Sequence, residues 1–129
     1  MRLRRSRLKT YSHRRAVIER DSEGCSNVRY ADPVEFEAEM WTAGGKLQAE
    51  MYGIRLPNIR NLRIQGKYKE ITVDGVLYFE IENGPRITVN DGICLNVPPE
   101  TDPDYRVIAI RPYSFLTLEV EKRGYTSIG

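Results

Sequence analysis

Histidine occurs once in this 129-residue chain, tryptophan once and cysteine twice, and no apolar run is long enough to cross a membrane as a helix. These shortages exclude a good deal of chemistry. His13 lies among Arg14 and Arg15, whose charges disfavour both a proton on it and a cation near it, so it is read as solvated. With no second histidine, a Cys-His nucleophile has little to build on. Cys25 and Cys94 are far apart and not in CxxC spacing, so they form no zinc motif. They could pair, but nothing indicates export, and reduced thiols in a cytosolic protein are the reading adopted. No phosphate-cradling, dinucleotide or nucleophile-elbow pattern occurs. Asp91-Gly92 and Asp102-Pro103-Asp104 lack calcium-loop spacing and read as turns. No carboxylate pair has an apolar context that would raise a pKa. The N-terminal MRLRRSRLK has no apolar stretch behind its charges and does not read as a signal peptide. The expectation is a protein without catalytic site, cofactor or metal.

What is present is strand. The length fits one domain with a small core, and 40% hydrophobic against 29% charged residues is ordinary composition. Val34–Trp41 alternates most cleanly, with Val34, Phe36, Ala38 and Met40 on one face and Glu35, Glu37 and Glu39 on the wet one. Tyr68–Val73 and Val76–Glu82 flank Asp74-Gly75, a dipeptide suited to the positive φ angles of a type I′ hairpin turn. Ile87–Val89 and Ile93–Val97 read as another short strand pair around Asn90-Asp91-Gly92. The runs Tyr105–Arg111 and Phe115–Glu121 are split by a Pro-Tyr-Ser corner; the first places Arg106, Ile108 and Ile110 opposite Tyr105, Val107 and Ala109, and Leu116, Leu118 and Val120 of the second are expected to close a barrel. Arg14–Arg20 reads as a strand, residues 21–27 as a turn cluster and Ile59–Ile64 as a possible strand. Lys46–Tyr52 is the one helix-like piece; Leu47 and Met51 at i,i+4 are expected to pack on the sheet, and Gly53 to stop it. Eight or nine short strands with regular turn signals predict an all-β fold, a small barrel of short antiparallel strands with one short helix.

Charge is uneven. Residues 1–20 carry eight basic side chains (Arg2, Arg4, Arg5, Arg7, Lys9, Arg14, Arg15 and Arg20) against Glu19, giving +7, while the remainder carries −5. The division expected is a flexible basic arm over residues 1–13, a barrel over 14–122 and a tail over 123–129. Such an arm can meet nucleic acid, solubilise the chain or dock on an acidic neighbour. Tyrosines and basic residues interleave in 60–68 and 106–113, which on a barrel suits single-stranded nucleic acid; a monomeric nucleic-acid-binding module is therefore the alternative function.

Three stretches carry a family resemblance: GGKLQAEMYGIRL (44–56), Val89-Asn90-Asp91-Gly92-Ile93, and DPDYRVIAIRPYSFLTLEVEK (102–122). Together they resemble the head–tail joining (head-closure, or stopper) proteins of long-tailed bacteriophages, across roughly residues 14–122. Asn90-Asp91 stands where the family usually has Gly-Asp, a replacement Asn tolerates because it accepts positive φ. The resemblance implies a non-enzymatic virion protein forming a homo-oligomeric ring in the phage neck, commonly of about twelve copies. Its partners would be portal and adaptor rings on one side and tail terminator or tail tube proteins on the other. Packaged double-stranded DNA would lie in the channel, no membrane would be involved, and the chain would pass through the host cytoplasm during assembly. Under this reading Arg2, Arg4, Arg5, Arg7, Lys9, Arg14 and Arg15 contact DNA or a neighbouring subunit. Asp74 and Gly75 tip a channel loop, and Glu100, Asp102 and Asp104 form an inter-subunit acidic loop that could receive a neighbour's basic arm.

Overall fold

A computed structural model of the chain describes residues 5–123 except 21 and 25. Eleven strands occur among the described residues, more than the alternation predicts, with one α-helix. Six strands close an antiparallel barrel in the circular order β1 (Lys9–Arg14), β4 (Val34–Thr42), β5 (Ile59–Ile64), β11 (Leu116–Lys122), β10 (Tyr105–Pro112), β9 (Gly92–Cys94), and β9 returns to β1. Closure leaves the barrel no open edge. Its interior is filled from all sides, by Tyr11, Phe36, Ala38, Leu62, Ile64, Val107, Leu118 and Val120 among others. Tyr11 and Phe36, partners across β1 and β4, pack in a tilted pair with ring centroids 6.1 Å apart.

Two smaller sheets stand off this barrel. β2 (Ala16–Arg20) and β3 (Ser26–Tyr30) form a two-stranded ribbon. β6 (Tyr68–Val73), β7 (Val76–Ile81) and β8 (Arg86–Ile87) form a three-stranded sheet whose inner residues Phe79, Ile81 and Ile87 join the core. The β6–β7 turn is as the sequence predicts, with Asp74 at φ 51° and Gly75 at φ 81°, and Asn90 takes φ 80°, a conformation asparagine tolerates.

Several expectations are corrected. Lys9–His13, expected in the flexible arm, belong to the barrel strand Lys9–Arg14, where Tyr11 is buried against its cross-strand partner Phe36. β3 begins inside residues 21–27, where a turn cluster was expected. β8 and β9 do not pair with each other; β8 extends the outer sheet and β9 bridges β1 and β10. In β10 a bulge at Ile108 breaks simple alternation, so Val107 faces Val120 and Ile110 faces Leu118. One extra residue moves Ile110 to the side of Tyr105 and Val107, contrary to the assignment from period two.

The bulge is held by the 88–91 loop. Asn90 N–H donates to Val107 O at 2.8 Å, and Val107 N–H donates to Asp91 O at 2.9 Å. Next to it Gly92 has no room for a side chain: a Cβ would lie 2.3 Å from Pro103 Cγ.

Candidate interaction surfaces

Three groups of side chains stand out: a buried polar joint, a helix packed with its polar side inward, and two projecting hairpins.

The joint centres on Asp91, which is 1% exposed. Its carboxylate accepts from His13 Nε2 at 2.7 Å, from Thr88 N–H at 3.0 Å and from Ala16 N–H at 3.1 Å. His13 is thus buried, contrary to the solvated reading, and it links β1 to a loop distant in sequence. Arg14 is a second clamp: its guanidinium donates to Ala31 O, Thr101 O and Tyr30 O. Together these contacts fix the root of the β2–β3 ribbon to the barrel, with Arg123 stacked over the Tyr30 ring at 4.9 Å.

The helix α1 (Gly45–Tyr52) ends at Gly53, φ 54°, and leads into a 3-10 segment, Gly53–Asn58. This block lies over the outward side of β5 and β11. Gln48 Nε2 donates to Asn61 Oδ1 at 2.8 Å, and the Tyr52 hydroxyl donates to Glu119. Arg55 makes a two-pronged bond to Glu121, at 2.7 and 2.9 Å, and Arg106 and Arg111 approach Glu121 and Glu119 at 3.4 Å. Glu119 and Glu121 are therefore buried on the side opposite Leu118 and Val120, where alternation alone would leave them wet. The Arg55 bond holds the Glu121 carboxyl below its usual range despite burial. Burial and then the Glu119 contact push the Tyr52 phenol up to about 12. Leu47 and Met51 do not pack on the sheet. Leu47 is 71% exposed and Met51 47%, and Ile54, just past the helix, is 90% exposed. The inward positions go to Gln48 and Tyr52 because the wall beneath offers carboxylates and an amide rather than apolar surface.

The hairpins differ in character. In the outer sheet Arg86, through its hydrogen bond, and then Lys69 draw the Glu80 pKa down, while Val73, Val76 and Leu77 near the tip are substantially bare. Between this hairpin and β10 runs an open groove of about 550 Å³ lined by Val76, Leu77, Phe79, Val89, Ile110 and Pro112. In the β2–β3 ribbon, Ile18 and Val28 sit directly across from each other and are both exposed.

The predicted site residues scatter rather than converge. Arg2 and Arg4 lie outside the described residues. Arg5 begins a short 3-10 turn, Arg7 reaches Glu39 at 3.5 Å, Lys9 is exposed on β1, Arg14 is consumed in its clamp, and Arg15 is exposed. Asp74 and Gly75 are exposed at the β6–β7 tip. Asp104 accepts from the amides of Leu95 and Asn96 at 2.8 and 3.0 Å, while Glu100 and Asp102 are exposed beside it. Leu47 and Met51 were read in the sequence as a packing pair rather than as part of an exposed ridge, and the Ile18/Val28 pair was not singled out. The available signals were Gln48 and Tyr52 at i,i+4 for an inward polar side, and the alternation in Asn27–Tyr30 for β3. Among the described residues no three His, Cys, Asp or Glu side chains are grouped to hold a metal ion, and no helix is long and apolar enough to cross a membrane. Comparison with protein-family models, curated proteins and solved structures finds no match to this chain.

Proposed function

We propose that this chain is a structural subunit of a phage neck ring, lying between portal or adaptor and tail, closing the head on packaged DNA and offering the tail a docking surface. The observation that carries the reading is the projecting β6–β7 hairpin: its root is locked into the core by Phe79 and Ile81, while its Asp74-Gly75 tip and the flanking Val73 and Val76 stand exposed. A rigid barrel presenting such an element suits a subunit that acts through its neighbours, and the three sequence stretches support the same class. No catalytic role is part of this reading. The hairpin tip is the element assigned to the channel, and Arg2, Arg4, Arg5, Arg7, Lys9 and Arg15 remain the groups able to meet DNA or the exposed Glu100 and Asp102 of a neighbour.

The test is a phage genome lacking this gene. The expected result is heads that lose their DNA and fail to join tails; tailed particles with full heads would overturn the proposal. The alternative, a monomeric nucleic-acid module, has weaker support. Arg106 and Arg111 are tied to Glu121 and Glu119, and the Tyr68 hydroxyl is bonded to Tyr113 O. It predicts DNA or RNA binding with a steep salt dependence, measurable by filter-binding titration at two salt concentrations.

A further inference from the structure

Between β4 and β5 the chain leaves the barrel and returns to almost the same place. Thr42 pairs with Arg60, and Ala43 N–H donates to Ile59 O at 3.2 Å, so the two ends of the 44–58 excursion are tied together at its root. No residue within 44–58 is buried, and the members of the barrel core all lie outside it. Gly44 and Gly45 stand at the β4 end with open space where a Cβ would be, and Gly45 has φ 84°, so lack of room does not explain either glycine. At the other end Ile59 is fully buried and anchors the root.

Polar bonds hold the excursion down. Gln48 meets Asn61, Tyr52 meets Glu119, and Arg55 grips both oxygens of Glu121. Pro57 O accepts from Arg60 close to where the chain rejoins β5. The acids beneath also have cations of the barrel itself, since Arg111 and Arg106 of β10 lie 3.4 Å from Glu119 and Glu121. Lifting the excursion would therefore leave each carboxylate a partner, and water could replace the hydrogen bonds lost. It would empty no place in the core. Segments with few buried apolar contacts open at a lower free energy than the whole fold.

We infer that residues 44–58 form a hinged flap that opens as a unit from a barrel that stays folded, with Glu119 and Glu121 as its latch. The closed flap hides these two side chains, 6% and 5% exposed. The open flap presents them to solvent as a carboxylate pair flanked by Arg106 and Arg111. The inference is independent of the neck assignment, which concerns the hairpin and the arm.

The test labels the carboxyl groups of the full chain with a water-soluble carbodiimide and an amine, and locates the labels by mass spectrometry. Asp91, 1% exposed inside the barrel joint, reports unfolding of the barrel. In the parent, Glu119 and Glu121 should label at least about tenfold faster than Asp91. Arg55→Met combined with Tyr52→Phe removes the flap's side of the latch without touching the core. It should speed labelling of both glutamates by about tenfold and leave Asp91 unchanged. Hydrogen exchange should agree: the amides of α1 and of the 3-10 segment should speed up together in the variant, while those of β5 and β11 keep the parent's rates. Raising salt should loosen the parent's flap, and loosen it less once Arg55 is replaced. The inference is overturned if Glu119 and Glu121 label no faster than Asp91, if the variant speeds all three alike, or if exchange across the flap ignores the variant.

Discussion

Asp91 shows how much one side chain can hold. It satisfies a histidine and two backbone amides, while its own backbone joins the β10 bulge. Asp91→Ala would leave three inward-facing donors without their acceptor and should cost about 3 kcal/mol or more, read by urea denaturation. Asp91→Asn keeps one acceptor oxygen and should cost less. Neither role was legible locally. An Asn-Asp-Gly run signals a turn, and it is a turn, but the partner His13 is 78 residues away and its environment is set only by folding. The positive φ of Asn90 was legible because that property belongs to the residue itself.

Among elements, α1 is the clearest case of pattern misleading. An i,i+4 aliphatic pair ordinarily marks the buried side of a helix. Here β5 and β11 turn Asn61, Glu119 and Glu121 outward, and the helix answers with Gln48, Tyr52 and the following Arg55. Leu47→Gln should therefore change unfolding free energy by no more than about 0.5 kcal/mol. Glu119→Ala, which strips the partner of Tyr52 and Arg111, should cost about 1–3 kcal/mol; thermal or urea unfolding of the two variants decides the order. The β6–β7 hairpin, by contrast, was readable outright, since its turn chemistry and alternation are both local. Its outer half touches little, so replacing residues 72–77 with a two-residue Asn-Gly turn should leave the barrel folded, with a thermal midpoint near the parent's and unchanged near-ultraviolet circular dichroism.

For the molecule as a whole, the sequence carried the class of fold but not the partition of strands. Period two identifies strands; it does not say that β8 joins the outer sheet and β9 the barrel, because that depends on pairings made across long separations. The same limit hid the buried acids. Glu121 contributes to stability through its ionised form: its folded pKa is held below the ordinary 4.5, chiefly by Arg55. That contribution is fully present above pH 4.5 and is lost as pH falls through the lower, folded value. Thermal midpoints should thus decline as pH drops below about 4.5, and Glu121→Gln should be less stable than the parent at neutral pH but converge with it in acid.

The circular order of the barrel also has a consequence for synthesis. β1 is made before the other strands described, yet one of its two neighbours, β9, follows about eighty residues later. β5 waits for β11, the last strand described, before its second side is covered. A growing chain therefore holds open strand edges until β11 has left the ribosome, and chains of such non-local topology fold slowly. Truncation before Leu116 would remove the strand that joins β5 to β10 and leave both as open edges, so a prematurely terminated product should aggregate rather than persist as a smaller barrel.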